Sequence, residues 1–160
     1  MVTTVTSYTD SRYRAYAGQG FDGVVRISVG GYFGTGELLY DGQAVLTAAH
    51  LFSNGVTSAS IVFDTSAGTQ TLSSSKVTVQ PAYDVVNDNN DLAIVWLNGH
   101  APVSADRYNL YRSSDELAQT FTMVGYGQVG TGSTGATGQS DPTWRLKAQN
   151  TFDEIGRAHV

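Results

Sequence analysis

In "VVRISV", residues 24–29, Val25, Ile27 and Val29 alternate with Arg26 and Ser28. That period of two buries one face of a β-strand. Gly30 and Gly31 follow as a turn. Further short strands are predicted at "TGELLY" (35–40), "QAVLTAA" (43–49), "SIVFDT" (60–65), "TQTLSS" (69–74), "KVTVQP" (76–81) and "DLAIVWL" (91–97). Clusters of Gly, Asn, Asp and Ser separate them, among them the Asp41-Gly42 turn signal. The same pattern returns in "TFTMVGYG" (120–127) and "WRLKAQNTF" (144–152), with a Gly, Ser and Thr loop at 127–140 between them. Helix signals are short: one turn in "HLFSN" (50–54), and Ser113-x-x-Glu116 in "SSDELAQ", which has the form of a capping box. Evenly spaced strands with turn signals between them predict an all-β sandwich or barrel. The first 20 residues are polar and tyrosine-rich, and read as an extension that packs loosely or pairs at an edge.

Composition narrows the function classes. The chain has 160 residues, enough for a single core. With 9 Lys and Arg against 14 Asp and Glu, its net charge of −5 leaves no basic footprint for nucleic acid or an anionic membrane. Without cysteine there is neither a disulfide framework nor a thiolate metal site. His50, His100 and His159 lie too far apart in sequence to form a metal-ligand pair at helical spacing. No cofactor is expected. The N-terminus has neither the basic start nor the apolar stretch of a secretory signal.

Two positions carry candidate chemistry. "LTAAH" runs a strand through the small residues Thr47, Ala48 and Ala49 into His50, which in isolation favours a structural histidine, although such neighbours also suit a base held rigidly at a strand end. Asp91 in "NDLAIVWL" heads an apolar strand, as a buried acceptor or as an exposed turn residue. Taken together, "LTAAH" and, 41 residues later, "NDLAI" resemble the histidine and aspartate motifs of the bacterial trypsin and chymotrypsin-like serine peptidases, in the same order and at similar spacing. "VVRISVGGYFGTGELL" is placed like that family's early hairpin, and "TMVGYG" like the strand that opens its second barrel.

The resemblance implies a chymotrypsin-like fold of two antiparallel β-barrels, a serine endopeptidase activity on protein or peptide substrates, and a secreted or extracellular setting. It makes His50 and Asp91 the expected catalytic residues. The expected layout is an N-terminal extension over 1–20, a first barrel over 21–118, the start of a second barrel over 119–153, and a non-native tail over 154–160.

The chain also departs from that family. No Gly-Asp-Ser-Gly-Gly run occurs, and Ser140 in "GQSDP" lacks the flanking glycines of an oxyanion hole. The second barrel is expected to stop after about two strands, so the polypeptide as it stands is expected to be inactive. A non-catalytic relative that keeps the barrel as a protein-binding module is the alternative. Leu51 stands where the family carries a cysteine after its histidine, and "GQGFDGVV" stands where it carries its activation sequence. Gly125-x-Gly127-x-x-Gly130 matches a dinucleotide fingerprint in form, but "TGSTGATGQSDP" cannot start the helix that fingerprint needs. The acidic run 84–91 lacks the glycine and glutamate positions of a calcium loop.

Overall fold

The computed structural model describes residues 2–4, 7–131, 133 and 135–152. Eleven β-strands are present among them, with two short 3-10 turns at Ser11–Tyr13 and Ala49–Phe52. In chain order the strands are β1 (Val2–Thr4), β2 (Val24–Val29), β3 (Tyr32–Leu38), β4 (Ala44–Thr47), β5 (Ser60–Thr65) and β6 (Gly68–Val79). They continue as β7 (Ala93–Leu97), β8 (Thr120–Gly125), β9 (Gln128–Thr131), β10 (Gly135–Gln139) and β11 (Leu146–Thr151).

Six of them, in the order β2-β3-β4-β7-β6-β5, close into a barrel of antiparallel neighbours. The alternation in the sequence fills its interior: Val25, Ile27, Val29, Val45, Ile61, Phe63, Val95 and Leu97 form one buried cluster with Leu38. On β7 it is Ala93, Val95 and Leu97 that point inward, whereas Leu92 and Trp96 are exposed. Closing the sheet on itself leaves no unpaired edge in this half of the molecule.

The second half is more open. β8 and β11 pair antiparallel, from Thr120 opposite Thr151 to Gly125 opposite Leu146. β9 and β10 form an antiparallel hairpin, and β1 adds to β9 in parallel, Val2 opposite Val129. A small cluster of Val129, Leu146 and Ala148, joined by Tyr8 and Trp144, fills this half.

Four local expectations change. β3 begins at Tyr32, directly after the Gly30-Gly31 turn, and so lies ahead of the expected 35–40 span. The strands expected at 69–74 and 76–81 are one, β6: its register shifts between Ser74 and Lys76, which marks a bulge at Ser75 where a break was expected. The capping box at Ser113 starts no helix; Ala118 takes a left-handed φ of 62°. Ala118 N instead donates to Phe152 O at 2.8 Å, and Phe152 N to Gln119 O at 3.0 Å, so pairing with the end of β11 takes the bonds a helix would use. Finally, the loop expected at 127–140 contains the β9–β10 hairpin, which gives the second half four strands of its own where two were expected. Its strands approach so closely at Gly130 that a Cβ there would stand 1.7 Å from Gly135 O. The glycines that read as a loop are what permit the pairing. The expected tail at 154–160, His159 included, lies outside the described residues.

Candidate active site

His50 and Asp91 come together because of barrel register. β4 and β7 are antiparallel neighbours with Thr47 opposite Ala93, so the chain leaving β4 runs beside the chain entering β7. The 3-10 turn at Ala49–Phe52 then aims the histidine. In a helix of three residues per turn, residues i and i+3 share a face; Ala49 and Phe52 are both buried in the barrel core. His50, between them, faces out. Its carbonyl is held by Ser53, whose backbone N donates at 3.2 Å and whose hydroxyl donates at 2.8 Å.

Asp91 reaches the histidine at two points. Asp91 Oδ1 accepts from the backbone N of His50 at 2.7 Å, and Asp91 Oδ2 lies 2.7 Å from His50 Nδ1. One carboxylate thus fixes both the backbone and the ring plane, a bidentate arrangement with geometric specificity. The side chain of Asp91 is 25% exposed and that of His50 is 56% exposed, so the carboxylate is set behind the ring. Asp91 itself is positioned by the turn before β7: Asn90 has a φ of 56°, its side chain donates to Ala82 O at 3.0 Å, and Leu92 N donates to Asn90 O at 2.7 Å.

An open cleft of about 610 Å³ lies on the other side of the imidazole. The barrel contributes Tyr32, Phe33, His50 and Leu51, and the second half contributes Tyr126 and Gln128. Its aromatic and aliphatic walls carry amide groups and, apart from His50, no ionisable side chain but tyrosines. Desolvation, its largest influence, pushes the Tyr126 hydroxyl above the usual tyrosine range. The two walls are joined through Thr35: its hydroxyl donates to Tyr126 O at 3.1 Å and accepts from Tyr126 N at 2.9 Å.

Sequence reasoning had not found Thr35, Tyr126 or the cleft-lining aromatics. Thr35 and Tyr126 are 91 residues apart, and neither carries a local pattern that announces the pairing. Ser140, the serine of "GQSDP", is 5% exposed, and its hydroxyl donates to Gly127 O at 3.0 Å. His100 is exposed and away from the cleft lining. In the acidic run, Asp84 accepts from Val86 N at 2.9 Å and from Asn87 Nδ2 at 2.7 Å, and Asp88 accepts from the Tyr83 hydroxyl at 3.2 Å. These are bonds within the loop, and no group of three or more potential metal ligands is assembled among the described residues.

A closed barrel joined across a cleft to a second set of antiparallel strands, with a histidine and an aspartate in contact at the barrel's rim, is the architecture of the chymotrypsin-like peptidases. A family model agrees: residues 11–154 match Trypsin, and the chain belongs to that family. Among solved structures, the chain is similar to one described as HL collagenase, with a TM-score of 0.70 over 89% of this chain at 17% sequence identity. The chain spans 62% of that collagenase's length. No curated protein matches by sequence.

Proposed function

We propose that this chain carries the base and its orienting acid of a serine endopeptidase, with His50 as general base and Asp91 as the residue that sets its tautomer. The observation that carries this reading is the two-point grip of Asp91 on His50. With Nδ1 bound to the carboxylate, Nε2 is the ring nitrogen left to take a proton from a nucleophile in the cleft. Asp91 would then stabilise the imidazolium that forms and would not itself accept the proton. Trypsin-family membership implies peptide substrates in general, and the reaction would be peptide-bond hydrolysis through an acyl-enzyme, in a secreted or extracellular setting.

The nucleophile is the missing part. The sequence holds no Gly-Asp-Ser-Gly-Gly run, and the buried Ser140 hydroxyl is already bonded to a carbonyl. The 160-residue polypeptide alone is therefore expected to leave peptide amides intact. Cleavage by the purified chain that disappears in His50→Ala would overturn this division of labour.

In a polypeptide that joins this chain to the nucleophile, Asp91→Asn should lower kcat by about 10⁴-fold, the scale found when the orienting acid of such a site is neutralised. His50→Ala should cost at least as much. Near-normal turnover in either variant would refute the assignment. The chain alone permits a direct check as well. A far-downfield Nδ1 proton on His50 should be visible by NMR and should vanish in Asp91→Ala.

A further inference from the structure

The N-terminal segment, the barrel and the second half of the chain meet at one buried ion pair. Asp22 and Arg145 are each 2% exposed, and Arg145 Nη2 lies 3.0 Å from Asp22 Oδ1. The rest of the guanidinium is also engaged: Nε donates to Ala15 O at 3.2 Å, and Nη1 donates to Val24 O at 3.3 Å and to Asp64 O at 3.1 Å. The carboxylate accepts from Gly18 N at 2.9 and 3.0 Å and from Ser66 N at 2.9 Å. Buried charges persist only when they are paired and hydrogen-bonded this fully.

These partners fall into three pieces of the molecule. Ala15 and Gly18 belong to the N-terminal segment, Val24, Asp64 and Ser66 to the barrel, and Arg145 stands immediately before β11. Further contacts follow the same seam. Ala15 N donates back to Arg145 O at 2.9 Å. The Arg14 guanidinium sits 3.9 Å from the centre of the Trp144 ring, and Lys147 Nζ donates to Gln19 Oε1 at 3.2 Å.

The seam leads to the cleft. Tyr126 is 6% exposed and close enough to Arg145 for the cation to act on its hydroxyl. The Tyr126 backbone is bonded on both sides to the Thr35 hydroxyl, and Thr35 O accepts from the Thr47 hydroxyl at 2.7 Å. Thr47 lies three residues before His50. The closed barrel has a buried cluster of fifteen residues, whereas among the described residues the second half has one of three, Val129, Leu146 and Ala148, so links across the seam help set where its wall stands.

We propose that Asp22 and Arg145 are positioning residues: their buried pair is the latch through which the N-terminal segment holds the Tyr126–Gln128 wall of the cleft against β3, the strand that Thr47 ties to the segment leading into His50. This goes beyond the peptidase reading, because it concerns the geometry of the cleft whatever reaction occurs there. Arginine suits the role because its planar fork fixes several acceptors at once, which a lysine ammonium does not.

Hydrogen exchange on the full chain tests the latch. The double variant Asp22→Asn, Arg145→Gln removes both charges together, so neither is left alone in the interior. Amides of residues 7–22 and 120–151 should then exchange about tenfold faster or more, while those of β5 and β7 keep their wild-type rates. The backbone resonances of Tyr126 and Gln128 should shift. Equal acceleration in the barrel, or none in 120–151, would overturn the proposal. A second measurement needs no variant: in wild-type protein under mild denaturant, residues 7–22 and 120–151 should open in one step while the barrel stays closed. Separate openings, or opening only together with the barrel, would equally defeat it.

Discussion

Leu51, the residue after His50, packs onto the barrel by side-chain shape. It stands where the peptidases that the sequence resembles carry a cysteine. In the structure its Cδ1 lies 3.1 Å from the position a Cβ on Gly34 would occupy. The leucine therefore fills the space that glycine leaves open, and packs the residue after His50 onto β3. Leu51→Ala should remove that packing and destabilise the protein by about 1–2 kcal/mol, below the range for fully buried leucines because Leu51 is only half-buried. A urea titration measures this, and an unchanged midpoint would show that the contact does not brace the turn. His50 and Asp91 were legible in the sequence because each sits in a short motif. The Gly34–Leu51 contact was not, since a lone glycine and a lone leucine have no signature.

Among the elements, β6 separates what pattern reveals from what pairing decides. Its two halves alternate correctly, but the polar run Ser73–Ser75 between them resembled a break. In the barrel, Ser75 is accommodated as a bulge, and its hydroxyl donates to Trp96 O at 3.2 Å and to Leu97 O at 3.1 Å. Ser75→Ala should cost about 0.5–1.5 kcal/mol, the net value of such a bond. Deleting Ser75 should leave the side chains of both halves on their present faces, because the bulge absorbs this extra residue and Ser74 and Lys76 already stand opposite consecutive residues, Leu97 and Trp96. A urea midpoint measures the substitution, and backbone NMR of the deletion variant checks the register; loss of the barrel on deletion would argue against the bulge. The β9–β10 hairpin carries the same lesson. Its glycines carry no strand signal, and only the approach of Gly130 to Gly135 makes them a pair.

At the scale of the whole molecule, burial of tyrosines gives stability a dependence on alkaline pH. Tyr108 is pushed up to about 12, first by desolvation and then by the Asp106 charge, and its hydroxyl donates to Gly20 O at 3.2 Å. The folded state thus favours the neutral phenol. Its contribution is complete below about pH 10, where an unfolded tyrosine titrates, and is lost as pH rises through the folded value. Tyr126 is displaced in the same direction, again chiefly by desolvation. The urea midpoint should therefore fall between pH 10 and pH 12, and Tyr108→Phe should make that fall shallower. A slope unchanged in the variant would show that other groups govern it.

The sequence by itself determined the alternation that fills the barrel, the turn at Asp41-Gly42, and the two motifs that carry His50 and Asp91. Each is written in residues within a few positions of one another, where period, turn chemistry and side-chain type act directly on the backbone. Tertiary structure alone decided which carboxylate meets which cation, where the cleft walls stand, and whether a glycine run is loop or hairpin. Asp22 and Arg145 are 123 residues apart, and a buried charge pair is stable only once three separate segments supply its remaining hydrogen bonds. Such a requirement is satisfied by the folded chain as a whole and has no counterpart in any single stretch of it.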